Sequence, residues 1–363
     1  MASSGILPDT EITALFDDGA LIVPRPLDAD QVQPASLDLR LGSTAYRVRA
    51  SFLPGPGHRV ADKLEQLKLH EFRLDEGAVL ETGCVYIVPL LEGLSLPADV
   101  CASANPKSST GRLDIFTRVM TDYGHEFDKI AAGYSGPLYL EVSPRTFPIV
   151  VRPGSRLSQV RFRRGNALLG EDDLAALHAR ETLVAAERPN ISGGGIALSI
   201  DLEGGPDRLI GYRAKHHTGL VDVDRKAAYA VPDFWEPLYN HGSRDLVLDP
   251  DEFYILVSRE AVHVPPAYAA EMTPFDPLVG EFRVHYAGFF DPGFGHSAAG
   301  GRGSRAVLEV RSHEVPFILE HGQIVGRLIY ERMGALPRAL YGTDLKSNYQ
   351  GQALKLSKHF RSA

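Results

Sequence analysis

The segment Pro106-Lys107-Ser108-Ser109-Thr110-Gly111-Arg112-Leu113 places two cations, adjacent hydroxyls and a glycine close together. That combination suits a polyphosphate. Hydroxyls and backbone N–H groups can bond the oxygens while Lys107 and Arg112 offset the charge. It is not a Walker loop, because the glycine spacing and the closing Gly-Lys-Ser/Thr are missing. The competing reading is a polar, helix-starting turn with solvated charges, which composition alone favours. Two carboxylates form a second candidate: Glu141 and Glu309 each close an apolar strand pattern, Leu-Tyr-Leu-Glu-Val and Ala-Val-Leu-Glu-Val. Such an acid faces solvent, the commoner case, or faces a pocket where burial raises its proton affinity and suits acid–base work. A third is the turn Phe290-Asp291-Pro292-Gly293-Phe294-Gly295, whose Asp291 can accept a ligand hydroxyl or serve only its own turn. The fourth is the stretch from Tyr341 through Lys346 and Tyr349 to Gln352, read as a flap closing over a ligand or as a frayed terminus.

An internal repeat changes the weight of these candidates. Tyr86 and Tyr254, Pro97 and Pro265, Glu141 and Glu309, and Pro148 and Pro316 are pairs in matching contexts, each 168 positions apart. A common register over such distant blocks marks one duplicated domain. In the second copy Lys107, Ser108, Ser109 and Arg112 become Phe275, Asp276, Pro277 and Gly280, while the flanking proline persists as Pro274. The anion-binding character is therefore something the shared scaffold does not require. Conversely, the turn carrying Asp291 is matched in the first copy by Ile130-Ala131-Ala132-Gly133-Tyr134-Ser135-Gly136, where the acid is lost.

The elements that must position these residues are mostly short strands. Residues 36–41 and 137–142 alternate apolar and polar positions, and proline and glycine punctuate the chain at short intervals, which predicts an antiparallel barrel or jelly roll. A short helix is predicted over 9–16, capped by Asp9 and stopped by Gly19, and another from Glu171 to about Glu187. Residues 188–195 read as a loop, so the expected domains are 1–190, carrying the Lys-Ser-Ser-x-x-Arg loop, and 191–363. The 363-residue length fits two domains. A net charge of −8 disfavours binding to nucleic acid. Neither a secretory signal nor an apolar run of membrane-spanning length is visible, and two cysteines, Cys84 and Cys101, fit a reducing cytoplasm. Those two cysteines also cannot build the His-x-Glu and Pro-Cys-x-x-Cys site of a zinc nucleobase deaminase. No spaced ligand set for another metal stands out.

Taken in this order, the elements resemble the dCTP deaminases of the dUTPase-like fold. The opening Gln33-Pro34-Ala35-Ser36-Leu37-Asp38-Leu39-Arg40-Leu41-Gly42 looks like that family's. Lys107-Ser108-Ser109-x-x-Arg112 is similar to its Arg-Ser-Ser-x-x-Arg loop, with Lys in place of the first Arg. Asp291-Pro292-Gly293-Phe294-Gly295 resembles its Asp-Pro-Gly-Trp-Ser-Gly hairpin, and Tyr349-Gln350-Gly351-Gln352 its C-terminal lid. The resemblance implies two tandem dUTPase-like distorted jelly-roll or β-barrel domains with a few short helices. It implies hydrolysis of dCTP to dUTP and ammonia, without zinc, supplying dUTP for thymidylate synthesis. Glu141, or Glu309, is then the acid/base, Ser108 and Arg112 position water, and Lys107 and Ser109 help hold phosphate. Asp291, Tyr341, Lys346, Tyr349 and Gln352 would contact nucleotide, and Mg²⁺ would ride on the triphosphate. Asp122 or Asp128 could replace the hairpin acid missing from copy one. The family's sites lie between subunits of a trimer, so a trimer-based homo-oligomer is expected. The rival readings are a dUTP pyrophosphatase, an enzyme performing both steps, and a non-catalytic nucleotide-binding regulator.

Overall fold

The computed structural model describes residues 4–274, 282–285, 288–312, 314–342, 351 and 353–361. The chain is mainly β, with short helices at Asp9–Asp17, Val60–Leu67, Ser108–Gly111, Glu171–Arg180 and Val231–Phe234. It forms two compact units. The first comprises Met1–Asn166 together with His217–Tyr229 and Ser357–Ala363, and the second comprises Ala167–His216 and Ala230–Leu356. This division differs from the expected 1–190 and 191–363. The helix Glu171–Arg180 goes with the second unit because its apolar side, Leu174 and Leu177, joins the core built on Ile196, Leu256, Leu308 and Leu328. It also ends earlier than predicted. Beyond Arg180 the backbone extends, and Leu183 and Ala185 exchange bonds with His263 and Ala261. The predicted loop at 188–195 is a tight hairpin: Ile191–Ser192 pairs with Gly195–Ser199 across Gly193 and Gly194, whose φ of 59° and 75° make the two-residue turn.

In the first unit one sheet runs Lys129–Ile130, Val100–Pro106, Ser158–Arg164, Ser36–Leu39 and Val32–Gln33. A second runs Ile115–Thr121, Ser135–Pro144, Val85–Ser95, Thr44–Val48 and Lys68–Arg73. The predicted helix at 9–16 forms over Asp9–Asp17, but Pro8 occupies the cap position, and Asp9 sits in the first turn accepting from the Thr10 N–H at 2.9 Å. The alternation in the strands does not leave a wet face. Ser36–Leu39 is buried at every position, and so is Ser135–Pro144 from Leu138 onward.

The second unit repeats the pairing. Glu141 lies opposite Ile87 and Glu309 opposite Ile255; Leu80 lies opposite Ile149 and Leu248 opposite Phe317. Each correspondence keeps the 168-residue spacing read from the sequence, so the duplication is a duplication of sheet register. Among the described residues, no helix is long and apolar enough to cross a membrane.

Candidate active site

Strand Val100–Pro106 delivers the chain into Lys107, and residues Ser108–Gly111 close one helical turn, with the Thr110 and Gly111 N–H groups bonded to Lys107 O at 2.8 and 3.0 Å. Asp114 then takes a left-handed φ of 55°, which turns the chain into strand Ile115–Thr121, and its carboxylate accepts the Thr146 hydroxyl at 2.5 Å. Asp and Asn tolerate this conformation better than most residues. Ser109, Thr110 and Arg112 are buried, whereas Lys107 and Ser108 keep part of their surface. The Lys107 ammonium pairs with the buried Asp38 carboxylate of the opening motif. The loop is thus a built feature packed from inside, not a solvated turn.

Sequence reasoning missed its cover. Ser357 Oγ donates to Ser109 O at 2.8 Å and lies 2.8 Å from His359 Nδ1, while His359 Nε2 faces Val223 O at 2.9 Å. A shallow recess with no room for a water lies beside this contact, lined by Ser109, Thr110, Arg156, Val223 and His359 among others. Burial, with the nearby Lys358 charge, pushes the His359 imidazole down to about 4; burial, with Lys107 and Lys226, pushes the Lys358 amine down to about 8. Of the stretch expected to act as a flap, Tyr341, Gly342 and Gly351 are described. Tyr341 donates its N–H to Pro292 O at 2.8 Å, and its ring packs 5.6 Å from Phe294 at the edge of the second unit's core. Lys346, Tyr349 and Gln352 lie outside the described residues.

Glu141 sits in strand Ser135–Pro144 and is 1% exposed, so the commoner expectation of a solvent-facing carboxylate does not hold here. Directly across on Ile115–Thr121 stands Arg118. Its Nε donates to Glu141 Oε1 at 2.9 Å, and its Nη2 donates to the same oxygen. Glu141 Oε2 is buried and has no hydrogen-bond partner among the described residues. The guanidinium that reaches Glu141 within one chain is therefore that of Arg118, not Arg112. The sequence signal was present: an arginine in an apolar strand and a glutamate in its neighbour are a cross-strand charge pair waiting for a register.

Of the two acids offered as replacements for the lost hairpin aspartate, Asp128 shares this neighbourhood. Burial pushes its carboxyl up to about 7, although the residue as a whole is only half-buried, and the Glu141 charge acts in the same direction against Arg118 and Lys129. Its Oδ1 accepts the Val119 N–H at 2.7 Å. Asp122 is committed elsewhere, accepting the Val60 N–H at 2.8 Å where helix Val60–Leu67 begins.

In the second copy Glu309 is also buried, at 4% exposure, but the residue in register across from it on Phe282–His285 is His285. Positions 275–280, which replace the anion loop, lie outside the described residues. Asp291 is buried where strand Phe289–Phe290 enters its turn, and its carbonyl accepts the Phe294 N–H at 3.0 Å. Gly295 has φ 66°, and a Cβ there would lie 2.1 Å from Val262 O, so this turn requires glycine. Phe294 packs edge-on against Phe290 with ring centroids 5.0 Å apart. Among the described residues no group of three or more His, Cys, Asp or Glu is arranged to hold a metal ion.

Comparison with known proteins accounts for both halves. Residues 3–166 match the N-terminal domain, and residues 170–360 the C-terminal domain, of 2′-deoxycytidine 5′-triphosphate deaminase. A dCTP deaminase of Halorubrum lacusprofundi is 33% identical over 161 residues, which is 43% of this chain and 76% of that protein. A "dCTP deaminase, dUMP-forming" of Coprothermobacter proteolyticus is 31% identical over 160 residues, 43% of this chain and 81% of its own length. The crystal structure of 2′-deoxycytidine 5′-triphosphate deaminase from Agrobacterium tumefaciens is similar at 74% identity and a TM-score of 0.90, over 94% of this chain and 99% of that one. A sequence that says the same thing twice, a buried carboxylate and matches along both copies lead to one statement: the chain belongs to the dCTP deaminase family, in a long two-domain form.

Proposed function

We infer that this protein hydrolyses dCTP to dUTP and ammonia, with Glu141 as the acid/base, on two tandem dUTPase-like domains. The observation that carries the assignment of Glu141 is its geometry: a buried carboxylate with one oxygen bonded and the other, Oε2, without a partner among the described residues. In the reaction Oε2 takes a proton from the attacking water as the C4–O bond forms, and that proton passes to N3 of the ring. The second water proton goes to the exocyclic nitrogen, the C4–N bond breaks, and ammonia leaves as the C4 carbonyl forms. Ser108 and Arg112 orient the water and stabilise the charge that develops. Lys107 and Ser109 hold the triphosphate, which brings Mg²⁺ with it as part of the substrate; no zinc is required.

Within one chain the guanidinium bonded to Glu141 is that of Arg118. In this reading Ser108 and Arg112 come to its free oxygen from a neighbouring copy, in a trimer-based homo-oligomer with sites between subunits. The free thiols of Cys84 and Cys101 fit a reducing, cytoplasmic setting. The dUMP-forming relative keeps a second reading alive, in which water also attacks the α-phosphorus.

Incubation with dCTP, followed by nucleotide analysis and ammonia release, tests both readings. Glu141→Gln is expected to lower kcat by about 10²- to 10⁴-fold, while Glu309→Gln leaves it within a few-fold. The reverse pattern would move the working site to the second copy, and dUMP with pyrophosphate would establish the second activity.

A further inference from the structure

We propose that Arg118 is the positioning residue of the acid/base: by placing both of its bonds on Oε1 of Glu141, it leaves Oε2 as the oxygen that meets water. This rests on the reading of Glu141 as the acid/base. A carboxylate buried in a strand covered on both faces is costly unless a cation stands beside it. Arg118 is that cation, directly opposite in the strand register. The usual arginine–carboxylate fork gives one N–H to each oxygen and occupies both. Here Nε and Nη2 converge on Oε1 alone.

The guanidinium is itself held in place. Its Nη2 also donates to Ser51 Oγ at 2.6 Å, and its carbon lies 3.6 Å from the centre of the Phe127 ring and 4.7 Å from that of Phe116. Stacking of this kind limits the rotation that would let it swing onto Oε2. Other charges act on the same place. Asp128, in the connection after strand Ile115–Thr121, opposes the Glu141 charge, and Lys129 next to it offsets Asp128. In copy two the position in register with Glu309 is a histidine, His285.

Arg118→Met, which keeps the aliphatic stem between the rings, and Arg118→Lys, which keeps the charge without the fork, separate the two parts of the role. With dCTP and Mg²⁺, Arg118→Met is expected to lower kcat about 10- to 100-fold and to leave KM within about threefold. Arg118→Lys recovers part of the rate, because it keeps the charge but not the fork. Ser51→Ala, a milder variant that should fold if the others do not, lowers kcat several-fold with KM unmoved. Adding Arg118→Met to Glu141→Gln gives no further loss, because Arg118 acts through Glu141. An unchanged kcat in folded Arg118→Met, or in folded Ser51→Ala, would overturn the proposal. So would a raised KM with kcat intact, or additive losses in the double variant. If Glu141→Gln alone retained turnover, the acid/base reading would fail instead.

Discussion

Asp128 concentrates several demands in one side chain. Its φ of 61° is left-handed, its N–H and carboxylate both bond Val119, and its carbonyl accepts the Ala104 N–H at 2.9 Å. Burial raises its carboxyl from 3.8 to about 7, so between those values the folded protein holds a proton that the unfolded chain has released. The sign follows: this group's contribution to stability declines as pH rises from about 4 through about 7, and the cost is fully present above that. Asn at this position keeps the acceptor for Val119 and tolerates the backbone, but cannot ionise. The melting temperature of Asp128→Asn relative to the parent is therefore expected to be higher at pH 8 than at pH 4.5. Thermal unfolding at the two pH values checks it, and an equal difference at both would contradict it.

At the scale of elements, the segment Ser357–Phe360 is a strap on the anion loop. Ala227 and Ala228 donate to the carbonyls of Lys358 and His359, and Arg361 donates to Tyr229 O, so the strap and residues 227–229 are laced by backbone bonds. Its polar chain has a proton to spare for only one bond. His359 Nε2 must donate to the Val223 carbonyl, so the neutral ring presents a bare Nδ1, and the single Ser357 proton then serves either that nitrogen or Ser109 O. Burial keeps the ring neutral down to about 4, whereas the unfolded chain binds a proton from about 6.5. Its contribution is thus present above pH 6.5 and is lost as pH falls toward 4. Ser357→Ala removes the bond to Ser109 and is expected to cost about 1 kcal/mol at pH 7.5, read from the shift of a denaturant midpoint.

Over the whole molecule, the two copies of one sheet differ in how they are finished. In the first unit strand Ile149–Val151 pairs with Ala78–Leu80 on one edge and, in parallel, with Val221–Asp222 on the other. Arg152 Nη1 donates to Asp222 Oδ1 at 2.8 Å, and Ser155 Oγ to Asp224 Oδ2 at 2.7 Å. In the second unit the equivalent strands Asp245–Leu248 and Phe317–Glu320 pair only with each other among the described residues, with Val247 and Ile318 50% and 59% exposed. The first unit is therefore completed by chain that follows it in sequence. Residues 1–166 expressed alone are expected to expose the bare edge of Ile149–Val151, an invitation to aggregation. They should stay insoluble or unfold at lower denaturant than the full chain, and co-expression with 167–363 should restore solubility. A soluble fragment as stable as the intact protein would refute this dependence.

The sequence by itself determined the duplication and its 168-residue register, the loop from Lys107 to Arg112, the two glutamates and the predominance of strands. All of these are written in local motifs and periodicities, which survive without knowledge of the partner. The tertiary structure decided the rest. It paired Glu141 with Arg118, packed Tyr341 against Phe294, and returned 217–229 and 357–361 to the first unit. It also showed that strands with an alternating pattern are covered on both faces. The physical reason is range. Which residue stands across a sheet, and which edge receives a returning segment, depends on contacts between residues tens to hundreds of positions apart, and no single stretch of sequence specifies them.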